Sequence, residues 1–221
     1  KQIVTNLPPY CFPNAFPTNG AMPLAVNFTA NAGDSDGSIR DVQWTFDDGT
    51  FSTNTNPAKT FTAPGDYLVH ATATDNQGNT ARQSLPIRVT TTVAQWKQAK
   101  FTTNELNSAA ISGDNADPDG DGLRNELEYL MGLEPKRADP STSRPRAAIA
   151  GGYFTLTFSR YRFAGDRTLS AEFSDDLVSW NTFWPNLELS SIVNHGLTET
   201  VTYRSPLPAG AVQGFLRLKV E

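Results

Sequence analysis

Between Met22 and Thr90, apolar side chains recur at every second position in four short runs. Leu24, Val26 and Phe28 share one face, as do Val42, Trp44 and Phe46. Tyr67, Val69, Ala71 and Ala73 follow, and Leu85, Ile87 and Val89 close the series. Successive side chains of an extended chain point to opposite faces, so this alternation buries one face of a strand and leaves the other to water. The sequences Asp47-Asp48-Gly49 and Asp75-Asn76-Gln77-Gly78 use the residue types that reverse a chain. Period-two strands with regular turns predict a small antiparallel sandwich.

Composition agrees with a mostly β protein. The chain has 221 residues, room for one large β domain or two small ones. With 16 Gly and 15 Pro, turns must be frequent, while 38% hydrophobic and 10% aromatic residues are too many for a disordered chain. Thr and Asn are abundant and runs of Leu, Ala and Glu are scarce, which favours strands over helices. The net charge of −5 is uneven: residues 93–140 hold 9 acidic and 5 basic side chains, against 7 and 5 in residues 1–92 and 7 and 8 in residues 141–221. Acid concentrated in the middle asks for a cation, and no region has the basic excess that nucleic acid requires. The single cysteine, Cys11, rules out an intrachain disulfide. No run of 18 apolar residues exists, so no membrane-spanning helix is expected. A first residue of Lys1 rather than Met leads to the expectation of a piece of a longer precursor, with an upstream domain as neighbour.

In residues 23–50 the motif Trp44-Thr45-Phe46-Asp47-Asp48-Gly49 resembles the W-D-F-G-D-G signature of the polycystic kidney disease (PKD) domain, departing from it at Thr45 and Asp47. Residues 63–81, with the Asp75-Asn76-Gln77-Gly78 turn, fit the same family. The resemblance implies an immunoglobulin-like β-sandwich over residues 12–92, used as a spacer or adhesion module in extracellular proteins. Residues 1–11 are expected to be an extended lead-in. Some members of the family hold calcium at positions matching Asn31, Asp34, Asp36 and Asp75. Read by themselves, these residues stabilise turns through their side chains.

Residues 93–140 read as a helical linker. Val93 to Phe101 suits a short helix, and Thr102 with Glu105 makes a capping-box pattern. Then Asp117, Asp119, Asp121 and Gly122, followed by five residues and Glu128, match the calcium-loop template at every fixed position. An oxygen cage takes carboxylates from loop positions 1, 3 and 5, here Asp117, Asp119 and Asp121. Gly122 permits the sharp turn, Leu123 offers its carbonyl, Asn125 ligates directly or through water, and Glu128 closes the cage with both oxygens. An exiting helix is predicted over Asn125 to Met131, with Leu127, Leu130 and Met131 apolar. Calcium is the expected ion, because a cage with this many protein oxygens suits it better than magnesium. The loop resembles those of dockerins and thrombospondin type 3 repeats, which use tandem copies. One EF-hand-like loop here predicts a structural ion rather than a sensor.

Residues 141–221 return to strands and are expected to be a second small antiparallel β module. Phe154, Leu156 and Phe158 alternate, and Ala164-Gly165-Asp166 is placed to turn a hairpin into Leu169, Ala171 and Phe173. Val201 and Tyr203, then Leu216, Leu218 and Val220, complete the pattern. This region resembles a C-terminal module of secreted planctomycete- and verrucomicrobial-type bacterial proteins.

No catalytic constellation emerges. His70 falls on the face opposite Val69 and Ala71, and His195 precedes Gly196 in a predicted loop. Cys11 lies in the lead-in, and the acid pairs Asp47-Asp48 and Asp175-Asp176 fall in turns. Trp44 aligns with the inward face. The set Tyr161, Phe163, Trp180, Phe183 and Trp184 has two readings, core packing or an exposed platform for polysaccharide. The expectation is a non-catalytic, calcium-stabilised structural tail of a larger secreted or cell-surface bacterial protein, a spacer or anchor. The alternative is a carbohydrate-binding accessory region of a polysaccharide-degrading enzyme, with polysaccharide or another surface protein as partner.

Overall fold

The period-two runs form strands, and their apolar faces meet. The computed structural model describes residues 6–181, 187–208 and 213–221 and divides the chain into two compact units, residues 1–90 and 91–221. The first unit is built from β1 (Tyr10–Phe16), β2 (Asn19–Ala21), β3 (Leu24–Gly33), β4 (Ile39–Thr45), β5 (Phe51–Ser52), β6 (Ala58–Phe61), β7 (Gly65–Asp75) and β8 (Thr80–Thr90). One sheet runs β1-β3-β6 and the other β2-β8-β7-β4-β5. Val26, Phe28, Trp44, Val69, Ala71, Ile87 and Val89 from both sheets are buried in one core, which makes an immunoglobulin-like sandwich. Trp44 is its centre. Its ring lies 5.2 Å from that of Phe28, and its indole N–H donates to the Thr55 carbonyl at 3.2 Å.

The expected lead-in needs a correction. Strand β1 starts at Tyr10, pairs antiparallel with β3 from Tyr10 opposite Gly33 to Phe16 opposite Asn27, and buries Cys11 and Ala15 in the sandwich core. Pro13 hides this strand in the sequence. It is tolerated because β1 is an edge strand, where a missing N–H breaks no inner ladder.

The second unit contains α1 (Val93–Lys100), α2 (Thr103–Leu106), α3 (Ala109–Ser112) and α4 (Asn125–Met131), a 3₁₀ turn (Ser141–Ser143), then β9 (Arg146–Ala150), β10 (Tyr153–Tyr161), β11 (Leu169–Ser174), β12 (Glu188–Asn194), β13 (Thr198–Pro208) and β14 (Phe215–Val220). Both predicted helix starts are capped: the Thr102 hydroxyl accepts from the Glu105 N–H, and Glu105 accepts from the Thr102 N–H. The sheets run β12-β13-β10-β9 and β11-β14. Ala164-Gly165-Asp166 therefore does not close a hairpin. It carries the chain from β10 to a second sheet, where Leu169, Ala171 and Phe173 bury one face of β11 and β14 is the partner.

The helical segment is not a separate spacer. Trp96, Phe101, Tyr129, Leu130 and Met131 share one core with Leu156, Phe158, Leu169, Phe173 and Val201 from the strands. An ionic network adds to this union: Asp114 accepts from Lys97 at 2.5 Å and from Arg167 at 2.7 Å, and Arg167 also pairs with Glu126 on α4. No helix among the described residues is long and apolar enough to cross a membrane.

Tyr129 joins the two kinds of element. Its ring is fully buried against Trp96, and its hydroxyl lies 2.7 Å from the Thr91 carbonyl and 2.9 Å from Asp166 Oδ1. Replacing it by Phe keeps the ring and removes one donor to a carbonyl and a carboxylate, which retain the Gly165 and Val93 N–H groups respectively. Tyr129→Phe is expected to destabilise residues 91–221 by about 1–3 kcal/mol in equilibrium urea unfolding. An unchanged midpoint would show that the ring alone does the work.

Candidate metal centre

The loop from Asp117 to Gly122 is folded by its own carboxylates. Asp117 accepts from the N–H groups of Gly120 at 2.9 Å and Gly122 at 2.8 Å, and Asp121 Oδ1 accepts from the Leu123 N–H at 2.8 Å. Asp119 accepts from the Asp121 N–H at 3.1 Å. The turn needs left-handed backbone at Gly120, φ +74°, and at Gly122, φ +91°, which glycine supplies without strain. Together these bonds place one carboxylate oxygen each from Asp117, Asp119 and Asp121 within 4.8 Å of one another.

Helix α4 begins directly after the loop, spanning the predicted residues Asn125–Met131, and turns Glu128 inward while Tyr129, Leu130 and Met131 enter the core. Glu128 is fully buried, and neither of its carboxylate oxygens has a hydrogen-bond partner. Its neighbour Glu126 has the opposite fate, paired with Arg167 and, at 3.0 Å, with Arg124. Burial first, then the charges of Asp119, Asp121, Asp139 and Asp117, push the Glu128 carboxyl up to about 8. Burial also raises Asp119, with Asp121 and Asp117 adding to it.

Further oxygens share this condition. Asp119 Oδ2, Asn125 Oδ1 and Asp139 Oδ2 are buried without partners. The Asn125 amide nitrogen is fixed, donating to the carbonyls of Ile111 and Gly113, each at 2.8 Å. Native proteins satisfy nearly all buried polar atoms, so a cluster of orphaned, acceptor-only oxygens is a candidate site for a cation. The donor set is all oxygen and mostly carboxylate, which fits a hard ion such as calcium. The structure thus gathers the predicted residues Asp117, Asp119 and Asp121, while Glu128 stands outside that 4.8 Å group yet feels the charge of all three, and Leu123 has its side chain buried. Sequence reasoning missed Asp139, which no template position marks.

Elsewhere most acids have donors, although Asp34 Oδ2 in the first unit is also buried without a partner. Asp75 accepts from the Asn6 side chain at 3.0 Å and from the N–H groups of Gln77 and Asn79 at 2.8 and 2.9 Å. Burial opposes its ionisation, but these donors hold the carboxyl below its usual range. Asp36 accepts from the Leu7 N–H at 3.1 Å, Asp34 from the Asp36 N–H at 3.4 Å, and Asn31 is exposed on β3. In the acid pairs, Lys59 first and then Thr50 hold Asp48 down at about 2, and the N–H groups of Ser179 and Val178 hold Asp176 at about 2.

His70 contacts the Ser84 hydroxyl at 2.7 Å and His195 that of Thr200 at 3.0 Å. Burial pushes the Cys11 thiol up. Of the aromatic set, Phe163 is buried and Tyr161 packs against the core of the second unit. The Arg217 guanidinium lies 3.9 Å over the ring of Trp180. Phe183 and Trp184 lie outside the described residues.

Without a cation, Glu128 holds a proton in the fold at pH values where the unfolded chain, with its ordinary value of 4.5, has lost it. Because the native state binds the extra proton, stability in chelator should be greatest below pH 4.5 and fall as pH rises to about 8. Thermal unfolding across that range is expected to show the decline, and Glu128→Gln to flatten most of it. A flat profile for the unsubstituted chain would contradict the burial described here.

Comparison with known proteins places the first unit. Residues 8–90 match the family model of the PKD domain. The chain is similar to the crystal structure of the PKD1 domain of Vibrio anguillarum Epp, at 25% identity over 39% of this chain and 99% of that one, with a TM-score of 0.35. For the PKD1 domain of the Vibrio cholerae metalloprotease PrtV the values are 29% identity, 38% and 98% coverage, and a TM-score of 0.34. A carbohydrate-binding-module structure of the β-sandwich superfamily aligns with 98% of this chain and 97% of its own at 15% identity and a TM-score of 0.42, a likeness that says nothing of what this chain binds. The N-terminal unit, residues 8–90, is a PKD domain.

Proposed function

We propose that this chain is a non-catalytic, calcium-stabilised structural part of a larger secreted or cell-surface bacterial protein, serving as spacer or anchor. The observation that carries the calcium reading is Glu128, fully buried with both oxygens unpartnered beside the carboxylates of Asp117, Asp119 and Asp121. Calcium supplies the positive charge that these oxygens lack. Asp117, Asp119, Asp121 and Glu128 would hold it, with the Leu123 carbonyl and Asn125 completing the shell. Since α4 carries Glu128 and the core residues Tyr129 to Met131 on adjacent positions, an ion bound there also fixes the core. The extracellular setting rests on the PKD domain and on the millimolar calcium such a site finds outside cells.

Thermal unfolding in millimolar calcium against excess chelator tests this. A ligand that binds only the native state adds about 2.7 kcal/mol at a hundredfold excess over its dissociation constant. The transition of residues 91–221 is expected to move upward in calcium, the PKD unit to stay in place, and Asp121→Ala to abolish the shift. No shift, with no metal in the purified protein, overturns the reading.

A second reading, polysaccharide binding, is favoured by one observation on the PKD unit rather than on the C-terminal rings. Tyr10, Phe12 and Phe16 are exposed on the outward face of β1. Phe12 pairs with Asn31, Asn14 with Thr29 and Phe16 with Asn27, so amides and a hydroxyl flank the rings and no charge interrupts them. Rings and amides without charge suit a neutral sugar chain. Co-sedimentation with insoluble cellulose or chitin is expected to retain the chain and to lose it in the Phe12→Ala/Phe16→Ala variant. Equal retention of both proteins, or of neither, removes this reading.

A further inference from the structure

We propose that Asp139 is a further ligand of the calcium centre, supplied from outside the loop, so that the ion pins the strap between α4 and β9 to the loop. This rests on the calcium reading above. The strap crosses from Gly132 to Pro145 and is held at its start by ion pairs, Glu134 with Lys100 at 2.6 Å and Lys136 with Glu105 at 3.1 Å. Near its end the Arg144 guanidinium donates to the Asp121 carbonyl. Between these ties, the Asp139 N–H donates to Asp121 Oδ2 at 3.0 Å. That bond sets the Asp139 carboxylate beside the loop acids, with its Oδ2 buried and unpartnered.

Chemistry gives this placement one sense. Asp139 adds negative charge beside Glu128, which already lies among Asp117, Asp119 and Asp121 and is completely buried. Arg144 does not answer that charge, because its contact is with a backbone carbonyl and both Glu128 oxygens stay unpartnered. A fifth carboxylate therefore repels in the absence of an ion and ligates in its presence. Calcium accepts six to eight oxygens, and affinity rises with the charge of the ligand set. Asp119, Asn125, Glu128 and Asp139 each carry at least one buried oxygen without a partner. A ligand from the strap turns a local loop into a cross-link between α4 and the entry to β9.

The test uses the full chain, calcium titration by calorimetry, and Asp139→Asn, which keeps the N–H bond to Asp121. The substitution is expected to weaken calcium binding about tenfold or more. In saturating calcium, trypsin should leave Lys136 and Arg137 uncut in the unsubstituted chain and cut them in the variant. The unfolding midpoint should fall in calcium but hold or rise in chelator, where one repelling charge is gone. A merely structural Asp139 would lower the midpoint in both. Unchanged affinity and protection in the variant overturn this proposal and leave the calcium loop standing, whereas no calcium binding by the unsubstituted chain overturns both.

Discussion

A buried carboxylate without a counter-charge constrains the second unit more than any other feature. Glu128 is fully buried, and the residues that follow it on α4, Tyr129 to Met131, form part of the hydrophobic core. The helix cannot rotate to release the acid into water without withdrawing Tyr129 from Trp96 and from the Thr91 carbonyl. Core packing therefore holds a carboxyl where its ionised form is most costly to desolvate. In the proposed reading a cation resolves the conflict, and the loop before α4 is already folded with three carboxylate oxygens gathered.

Several acids elsewhere have a different fate. Asp75 is as buried as Glu128, yet an amide and two backbone N–H groups saturate it. Asp48 has Lys59, and Asp176 has the N–H groups of its own turn. Those acids need nothing further and serve as turn and tie residues. At Asp119, Glu128 and Asp139 the donors run out while burial continues. Acidic composition thus matters less than the balance between acceptor oxygens and the donors that reach them.

This arrangement gives the chain two β units of different kinds. The PKD sandwich closes on an aromatic core around Trp44. Residues 91–221 combine short helices with two small sheets, and much of their order passes through α4 and the segments tied to it. Charge pairs such as Lys97 with Asp114 and Arg167 with Glu126 support that union, but partly exposed pairs of this kind contribute little by themselves. The buried rings contribute more.

By itself the sequence determined what is local. Alternation fixed the inward faces of β3, β4, β7 and β8, because a strand's period of two is written residue by residue. Template spacing located Asp117 to Glu128, and the α4 boundaries followed from it, since both depend on fewer than a dozen neighbouring residues. Only the tertiary structure decided what distant segments bring together. It paired β11 with β14 instead of β10, drew β1 into the sandwich despite Pro13, and merged the helices with the C-terminal strands. It also delivered Asp139 to the loop and left Glu128 without a donor. Pairing and desolvation depend on contacts far apart in the chain, which no spacing of residues records.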